Sequence, residues 1–142
     1  MEKLKNHSGR NSMLVLRPAD GNETLVAYKM AMENTTTPTG LILSRQNIRD
    51  IPADPFATGY ESALKAVRGA YVVQEDKGSH DLVLVANGSE VSTLIEGARL
   101  LAASGIKTRV VSVISEGVFN LQDEAYRAGV IPAGVPVLGL TA

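Results

Sequence analysis

An apolar strand that turns sharply into a helix is the feature of this sequence that most limits how the chain can fold. The strand is predicted over 13–17, and Pro18 ends it because proline has no N–H for a strand ladder. A helix over 21–34 follows at once. Asp20 is placed to cap that helix, and Glu23, three residues later, is placed to return the hydrogen bond in a capping box.

A second strand is predicted over 39–44, after three threonines and Pro38 that end the helix. Strand, helix and strand make a βαβ unit, and Arg45 leaves the carboxyl end of its second strand, where open α/β sheets bind ligands. A guanidinium offers a rigid fork that matches phosphate oxygens. Arg45 is therefore the leading candidate for a binding residue, and the alternative is a structural arginine paired with a carboxylate near the sheet edge.

The rest of the chain alternates apolar strands with helices. Strands are predicted at 70–74, 81–86 and 107–114, with a weaker one at 136–140, and helices at 90–104 and 122–129. Continuous apolar strands between helices indicate an α/β fold, with a mostly parallel sheet covered by helices on both faces. The apolar strand residues should then lie mostly buried, namely Leu82, Val83, Leu84, Val85, Val110, Val111 and Val113.

Local signals mark where these elements begin and end. Residues 46–68 carry the prolines, glycine and polar residues of a linker, with room for a short helix over 60–67. Asn87 and Glu90 are predicted to form a capping pair at the start of the next helix, and Gly105 is predicted to lie just beyond its end.

Composition excludes several classes of protein. The 142 residues carry a net charge of −1 and contain no cysteine. Neither nucleic acid nor an anionic membrane is therefore favoured as a partner, and disulfides, thiolate metal sites and a cysteine nucleophile are ruled out. No apolar run approaches the roughly 18–20 residues of a membrane span, and a cytoplasmic protein is the simplest interpretation. His7 and His80 lie in polar segments without metal-ligand spacing, and both are expected to be solvated.

Other polar residues near strand ends have simpler structural explanations. Arg17 is expected to form a surface or interdomain ion pair, and Asp20 is expected to be a helix cap. The segment 87–90 follows a strand and opens a helix, so it could hold an anion on its N–H groups, but its single glycine favours a tight turn. Ser44 has no histidine in a recognisable relation to it. No residue is assigned a catalytic role.

Several strings of the sequence resemble transketolase. The first two are Leu14-Val15-Leu16-Arg17-Pro18-Ala19-Asp20-Gly21-Asn22-Glu23-Thr24 and Leu43-Ser44-Arg45-Gln46. Three more follow in the right order, Gly69 to Val73, Asp81 to Val91 and Ile106 to Ser112. The similarity covers nearly the whole chain from about residue 12, and it is specific because independent strings agree in order and spacing.

The resemblance implies a three-domain enzyme whose end this chain matches. Residues 1–50 would be the incomplete end of a pyrimidine-binding domain, 51–69 a linker, and 70–142 a C-terminal domain that is truncated at its end. The implied reaction transfers a two-carbon ketol unit between sugar phosphates in the pentose phosphate pathway, and Arg45 would bind the substrate phosphate. The implied enzyme is a homodimer with active sites between subunits. Thiamine diphosphate and a divalent metal would be held upstream, so none is expected on this chain.

A fragment of a transketolase, inactive alone, is the leading interpretation. Residues 2–12 look like the tail of a helix, and the last predicted strand has nothing after it to cover it. Unpaired strand edges would then favour a dimer or larger species. The alternative is a stand-alone α/β binding or interaction module. Deoxyxylulose-phosphate synthase and the beta subunit of a keto-acid dehydrogenase share the last two domains, but the first two strings favour transketolase.

Overall fold

Two β-sheets, one of two strands and one of four, organise residues 12–141 in the computed structural model of the chain. The elements in order are β1 (Leu14–Leu16), α1 (Gly21–Glu33), β2 (Thr39–Leu41), α2 (Gly59–Ala63), a 3-10 helix (Leu64–Arg68), β3 (Tyr71–Glu75), β4 (Leu82–Ala86), α3 (Glu90–Ala103), β5 (Thr108–Ser112), α4 (Glu116–Asn120), α5 (Glu124–Val130) and β6 (Val137–Leu140).

The first unit is the predicted βαβ unit, with a shorter second strand. β1 and β2 are parallel, and their last pair is Leu16 with Leu41. The Ile42 N–H still donates to the Leu16 carbonyl at 2.9 Å. The predicted strand over 39–44 is therefore wrong beyond Leu41, because β1 ends at the turn before Pro18 and leaves the later residues without a partner.

The second sheet has the strand order β3-β5-β4-β6. β4 is parallel to both β5 and β6, whereas β3 is antiparallel to β5. The predicted mostly parallel sheet is therefore confirmed, and β3 is its antiparallel strand. Only residues 76–81 join β3 to β4, and this connection is shorter than the dozen or so residues that a parallel crossover needs.

Helices cover both faces of this sheet, as predicted. Leu84 and Val110 pack against α3 on one face, and Val83 and Val111 pack against Phe119 and Val130 on the other. These four strand residues are 0–1% exposed, which confirms their predicted burial. Leu82, Val85 and Val113 are only half-buried and pack at the margins of the two clusters, so their predicted burial is met only in part. All four residues of β6 are exposed.

The βαβ unit packs directly against the second sheet. Its apolar residues share one cluster with α2, the 3-10 helix, β3 and the end of β5, formed by Leu16, Val26, Ala27, Ala63, Ala66, Tyr71 and Ile114. The predicted linker thus carries a short helix that joins the two units, close to the predicted 60–67. Gly69, at φ 88°, makes the turn into β3, where a Cβ would lie 2.3 Å from the Phe119 nitrogen.

Some of the helix boundaries and caps predicted from the sequence are found in the structure, and others are not. Gly105 lies just beyond α3 at φ 78°, as predicted. The predicted capping pair of Asn87 and Glu90 is wrong, because Ser89 holds the N-cap position and no side chain caps α3. The short helix α4 was not predicted, and Ser115 begins it by accepting a hydrogen bond from the Val118 N–H. The predicted helix tail over 2–12 lies outside the described residues, except for its last residue.

Candidate substrate-binding site

The carboxyl end of β1 meets the carboxyl ends of the strands of the second sheet. The Arg17 N–H donates to the Ile114 carbonyl at 2.8 Å, and the Arg17 carbonyl accepts from the Gly88 N–H at 3.2 Å. Gly88 follows β4 and Ile114 follows β5. Both sheets therefore present their ligand-binding edge on the same side of the molecule.

Arg17 lies at the centre of a polar cluster on this edge. Its guanidinium lies 3.6 Å from the Glu90 carboxylate and donates to the Thr141 hydroxyl at 3.3 Å. Thr141 in turn donates to the Asn87 side-chain oxygen at 3.2 Å. The predicted ion pair of Arg17 is confirmed, and it joins the βαβ unit to the start of α3.

The segment 87–90 is a tight turn, as favoured by the sequence. Gly88 adopts φ 58°, and a Cβ there would lie 3.0 Å from the Arg17 Nε. Its N–H is already bonded to the Arg17 carbonyl, and the Glu90 carboxylate lies in the first turn of α3. A second anion at this helix start would meet that negative charge, which opposes an anion site here.

A cleft of about 630 Å³ opens beside the polar cluster, along the carboxyl ends of β4, β5 and β6. Because β5 and β6 lie on opposite sides of β4, this is the point where the strand order reverses, which is the usual place for a ligand in an open α/β sheet. Its walls are largely apolar, with Val85, Val113 and Leu140 among them, and Arg17 and Asn87 line its rim.

Arg45, the predicted binding residue, lies in a loop beyond β2. The Arg45 loop, defined here as residues 42–51, begins at the Ile42 N–H bonded to β1. Arg45 and most of its neighbours are exposed. Within residues 12–141, the Arg45 guanidinium forms no hydrogen bond or ion pair, so the alternative of a structural arginine paired with a carboxylate finds no partner there. Arg45 does not line the cleft at the strand-order reversal.

Asp20 anchors the other end of the Arg45 loop. One carboxylate oxygen of Asp20 accepts from the Glu23 N–H at 2.7 Å and caps α1, as predicted. The second oxygen accepts from the Ile51 N–H at 2.8 Å. The predicted helix cap is therefore confirmed, and Asp20 also holds Ile51. No local pattern predicts this second bond, because it joins residues 31 positions apart.

Glu23 is fully buried at the junction of the two units. Its carboxylate accepts from the Ala19 N–H at 2.8 Å and from the Tyr71 hydroxyl at 3.0 Å. The predicted capping box is thus wrong in its second half, because Glu23 reaches the residue before the cap. The spacing along α1 could have predicted this burial. Glu23 lies three and four positions before the buried Val26 and Ala27, so all three lie on the buried face of the helix.

Burial raises the pKa of Glu23 to about 7, and the negative charge of Asp20 acts in the same direction. The Ser112 hydroxyl and the Ala19 N–H offset part of this effect by lowering the pKa. Ser112 is close enough to act on the carboxylate but forms no hydrogen bond of normal geometry. Burial also raises the pKa of Tyr71 far above its ordinary value, so its hydroxyl stays protonated and donates to Glu23.

The remaining predicted positions play no part in this site. The His80 side chain is 8% exposed, and its Nε2 lies 3.0 Å from the Asp76 carbonyl, so the expectation of a solvated histidine is wrong. His7 lies outside the described residues. Ser44 accepts a local hydrogen bond from the Gln46 N–H. Within residues 12–141, no three His, Asp or Glu side chains come together to hold a metal ion, and no helix there is long and apolar enough to cross a membrane.

A family model described as the transketolase-like C-terminal domain matches residues 69–142. The chain belongs to this family. The match starts at the glycine turn before β3 and includes the whole four-stranded sheet.

Similarity to transketolases extends beyond the matched domain to the βαβ unit. The transketolase of Scheffersomyces stipitis is 41% identical over 141 residues, which is 99% of this chain and 20% of that protein. The transketolase of Staphylococcus aureus is 40% identical over 137 residues. The chain therefore spans about one fifth of the length of these relatives.

Solved transketolase structures have the same fold over the same region. A variant of the Pichia stipitis enzyme in complex with fructose 6-phosphate is 40% identical, with a TM-score of 0.81, and covers 92% of this chain and 18% of that one. The transketolase of Leishmania mexicana is 39% identical, with a TM-score of 0.81, over 93% of this chain and 18% of its own.

Proposed function

We propose that this chain forms the C-terminal part of a transketolase, an enzyme that transfers a two-carbon ketol unit between sugar phosphates. The single observation that carries the proposal is identity of about 40% to transketolases along essentially the whole chain. The proposal includes the parent enzyme's setting: a cytoplasmic homodimer that acts in the pentose phosphate pathway.

The proposed domain partition follows from the two sheets. Residues 1–50 would belong to a pyrimidine-binding domain, 51–69 would be the linker, and 70–142 would be the C-terminal domain. The separate two-stranded sheet and the start of the family match at residue 69 support this partition.

The cofactor of such an enzyme would not be held by the residues described here. Thiamine diphosphate, when bound, supplies the carbon nucleophile that accepts the two-carbon unit. Its diphosphate requires a metal ion, and residues 12–141 offer no cluster of ligands for one. We assign the cofactor and its metal to other parts of the enzyme.

Arg45 is proposed to bind the phosphate of the sugar substrate. Its guanidinium is exposed on the ligand side of β2 and has no partner within residues 12–141. A charge-assisted hydrogen bond to phosphate stabilises the complex by about 1.5–3 kcal/mol. A free arginine on a loop tied down at both ends suits this role.

A chimera tests the proposal. Residues 12–141 would replace the matched segment of the Scheffersomyces stipitis transketolase, and two-carbon transfer would be measured with phosphorylated and unphosphorylated sugars. We expect an active chimera in which Arg45→Ala raises KM for phosphorylated substrates roughly tenfold to a hundredfold. KM for unphosphorylated substrates should change little.

Arg49→Ala is the matched control, because Arg49 is an exposed arginine in the same loop. It should leave both KM values near those of the unmodified chimera. A folded but inactive chimera would refute the proposed function. Equal losses on both types of substrate in Arg45→Ala would instead give Arg45 a structural role.

A further inference from the structure

Hydrogen bonds to other elements hold the Arg45 loop at its two ends but not in between. Its first residue, Ile42, donates to β1, and its last, Ile51, donates to Asp20. Between them, residues 43–50 form one local hydrogen bond, from the Gln46 N–H to the Ser44 hydroxyl, and none to another element within residues 12–141. The position of Arg45 therefore depends on the two anchors.

We infer that Asp20 is a positioning residue that fixes the Arg45 loop by holding the Ile51 N–H against the start of α1. The bond is charge-assisted and short, at 2.8 Å, and Asp20 is only 5% exposed, so water competes little for it. The role assigned to the loop rests on the proposed function of Arg45, whereas the clamp itself does not.

The surroundings of the clamp favour a single loop position. Asp50 lies beside the first turn of α1, where a Cβ on Gly21 would come within 3.4 Å of its carboxylate. A negative charge is stabilised there by the helix dipole. The Ile51 side chain packs against the apolar cluster of α3, which includes Ala19. Hydrogen bond, charge and packing therefore act on the same end of the loop.

Asp20 is held in turn by the second sheet. The Ala19 N–H donates to Glu23, and Glu23 accepts from the Tyr71 hydroxyl of β3. The peptide before Asp20 is thus tied to β3 by one buried carboxyl group. A continuous set of hydrogen bonds, each of 2.7–3.0 Å, runs from Tyr71 through Glu23 and Asp20 to Ile51.

Residue-resolved hydrogen exchange on the 142-residue chain tests the clamp directly. In the unmodified chain, the Ile51 amide should exchange more slowly than the amides of residues 46–50. Asp20→Ser keeps an oxygen that can cap α1 but cannot reach Ile51 at the same time. It should speed exchange of the Ile51 amide by roughly tenfold or more. Asp20→Asn, with a donor amide in place of one oxygen, should do the same.

Asp123→Ser is the matched control. Asp123 also caps a helix, α5, by accepting from the Tyr126 N–H at 2.7 Å. Its replacement removes a capping carboxylate without touching the Arg45 loop, so exchange of the Ile51 amide should not change. An unprotected Ile51 amide in the unmodified chain would overturn the inference without any variant. Unchanged exchange in the Asp20 variants would overturn it as well.

Kinetics of the chimera test the positioning role. Asp20→Ser should raise KM for phosphorylated substrates by about two- to tenfold, the cost of ordering one loop side chain again on binding. Neither kcat nor KM for unphosphorylated substrates should change to that extent. Faster exchange at Ile51 with unchanged KM for phosphorylated substrates would overturn the positioning role. An inactive chimera would refute the proposed function, and exchange at Ile51 would then decide the clamp.

Discussion

Protonation of Glu23 should make the stability of this chain depend on pH in an unusual direction. Burial raises the pKa of this carboxyl group from 4.5 to about 7 in the folded chain. The unfolded chain releases the proton at the lower pH. Between these two values the folded state holds more protons than the unfolded state, so its stability falls as the pH rises.

The magnitude follows from the size of the shift. One pKa unit corresponds to about 1.4 kcal/mol, so the rise from 4.5 to about 7 corresponds to about 3 kcal/mol. Because the Glu23 side chain is fully buried, solvent screening reduces this little. The contribution is fully present below pH 4.5 and is lost as the pH passes through 7.

The Glu23→Gln substitution removes the titratable carboxyl group and keeps the shape of the side chain. The amide oxygen can accept from the Ala19 N–H, and the amide N–H can donate to the Tyr71 hydroxyl. Urea unfolding at several pH values between 5 and 8.5, at constant ionic strength, should give similar stabilities for the two proteins at pH 5. At pH 8 the variant should be more stable than the unmodified chain by about 3 kcal/mol.

Glu61 provides the opposite case within the same chain. It is an exposed glutamate, and hydrogen bonds from Thr58 lower its pKa. Glu61→Gln should therefore cost stability mainly at neutral pH, with a loss that disappears as the pH falls. If the unmodified chain and Glu23→Gln lost stability equally as the pH rises, the pH dependence could not be assigned to Glu23. A variant less stable than the unmodified chain at pH 8 would refute this assignment too.

Four further expectations concern backbone, charge and association. Gly69→Ala should lower the free energy of unfolding by more than about 2 kcal/mol in urea denaturation, because the residue has φ 88° and faces backbone at 2.3 Å. Gly97→Ala, with nothing within 4 Å, should raise it by about 0.5–1 kcal/mol in the same assay. Arg109→Ala should lower it by about 1.5–3 kcal/mol, because it breaks a 2.8 Å ion pair to β3 and a 2.7 Å hydrogen bond to the last turn of α5. The chain should self-associate through the exposed edge strand β6, and Leu138→Lys should shift light scattering towards the monomer.

Local features of the fold could be predicted from the sequence, because their causes lie within a few residues. Asp20 caps α1 and Gly105 ends α3, as their positions beside helical patterns indicate. The apolar runs of β4 and β5 likewise predict a sheet buried on both faces. The position of Arg45 beyond the second strand could also be predicted, because Arg45 follows an apolar run, although β2 ends earlier, at Leu41.

Features set by distant residues could not be predicted. The direction of β3 depends on which strand it joins, and the burial of His80 depends on how the loop after β3 folds back. Glu23 looks like a capping residue in sequence, whereas in the structure Tyr71, 48 positions away, decides its environment. The Asp20–Ile51 hydrogen bond could not be predicted either, because no pattern in the sequence near one residue points to the other.

On the proposed function, the hydrogen bonds around Asp20 give the region matched by the family model a role at a site whose arginine lies outside that region. Arg45 precedes residue 69, where the family match begins. An exposed loop without a helix or strand of its own is positioned by the contacts at its two ends. One anchor is β1, and the other is Asp20, which the hydrogen bond from Tyr71 to Glu23 ties to β3. On the proposed function, Tyr71→Phe should therefore weaken binding of phosphorylated sugars although Tyr71 lies on a different sheet from the loop.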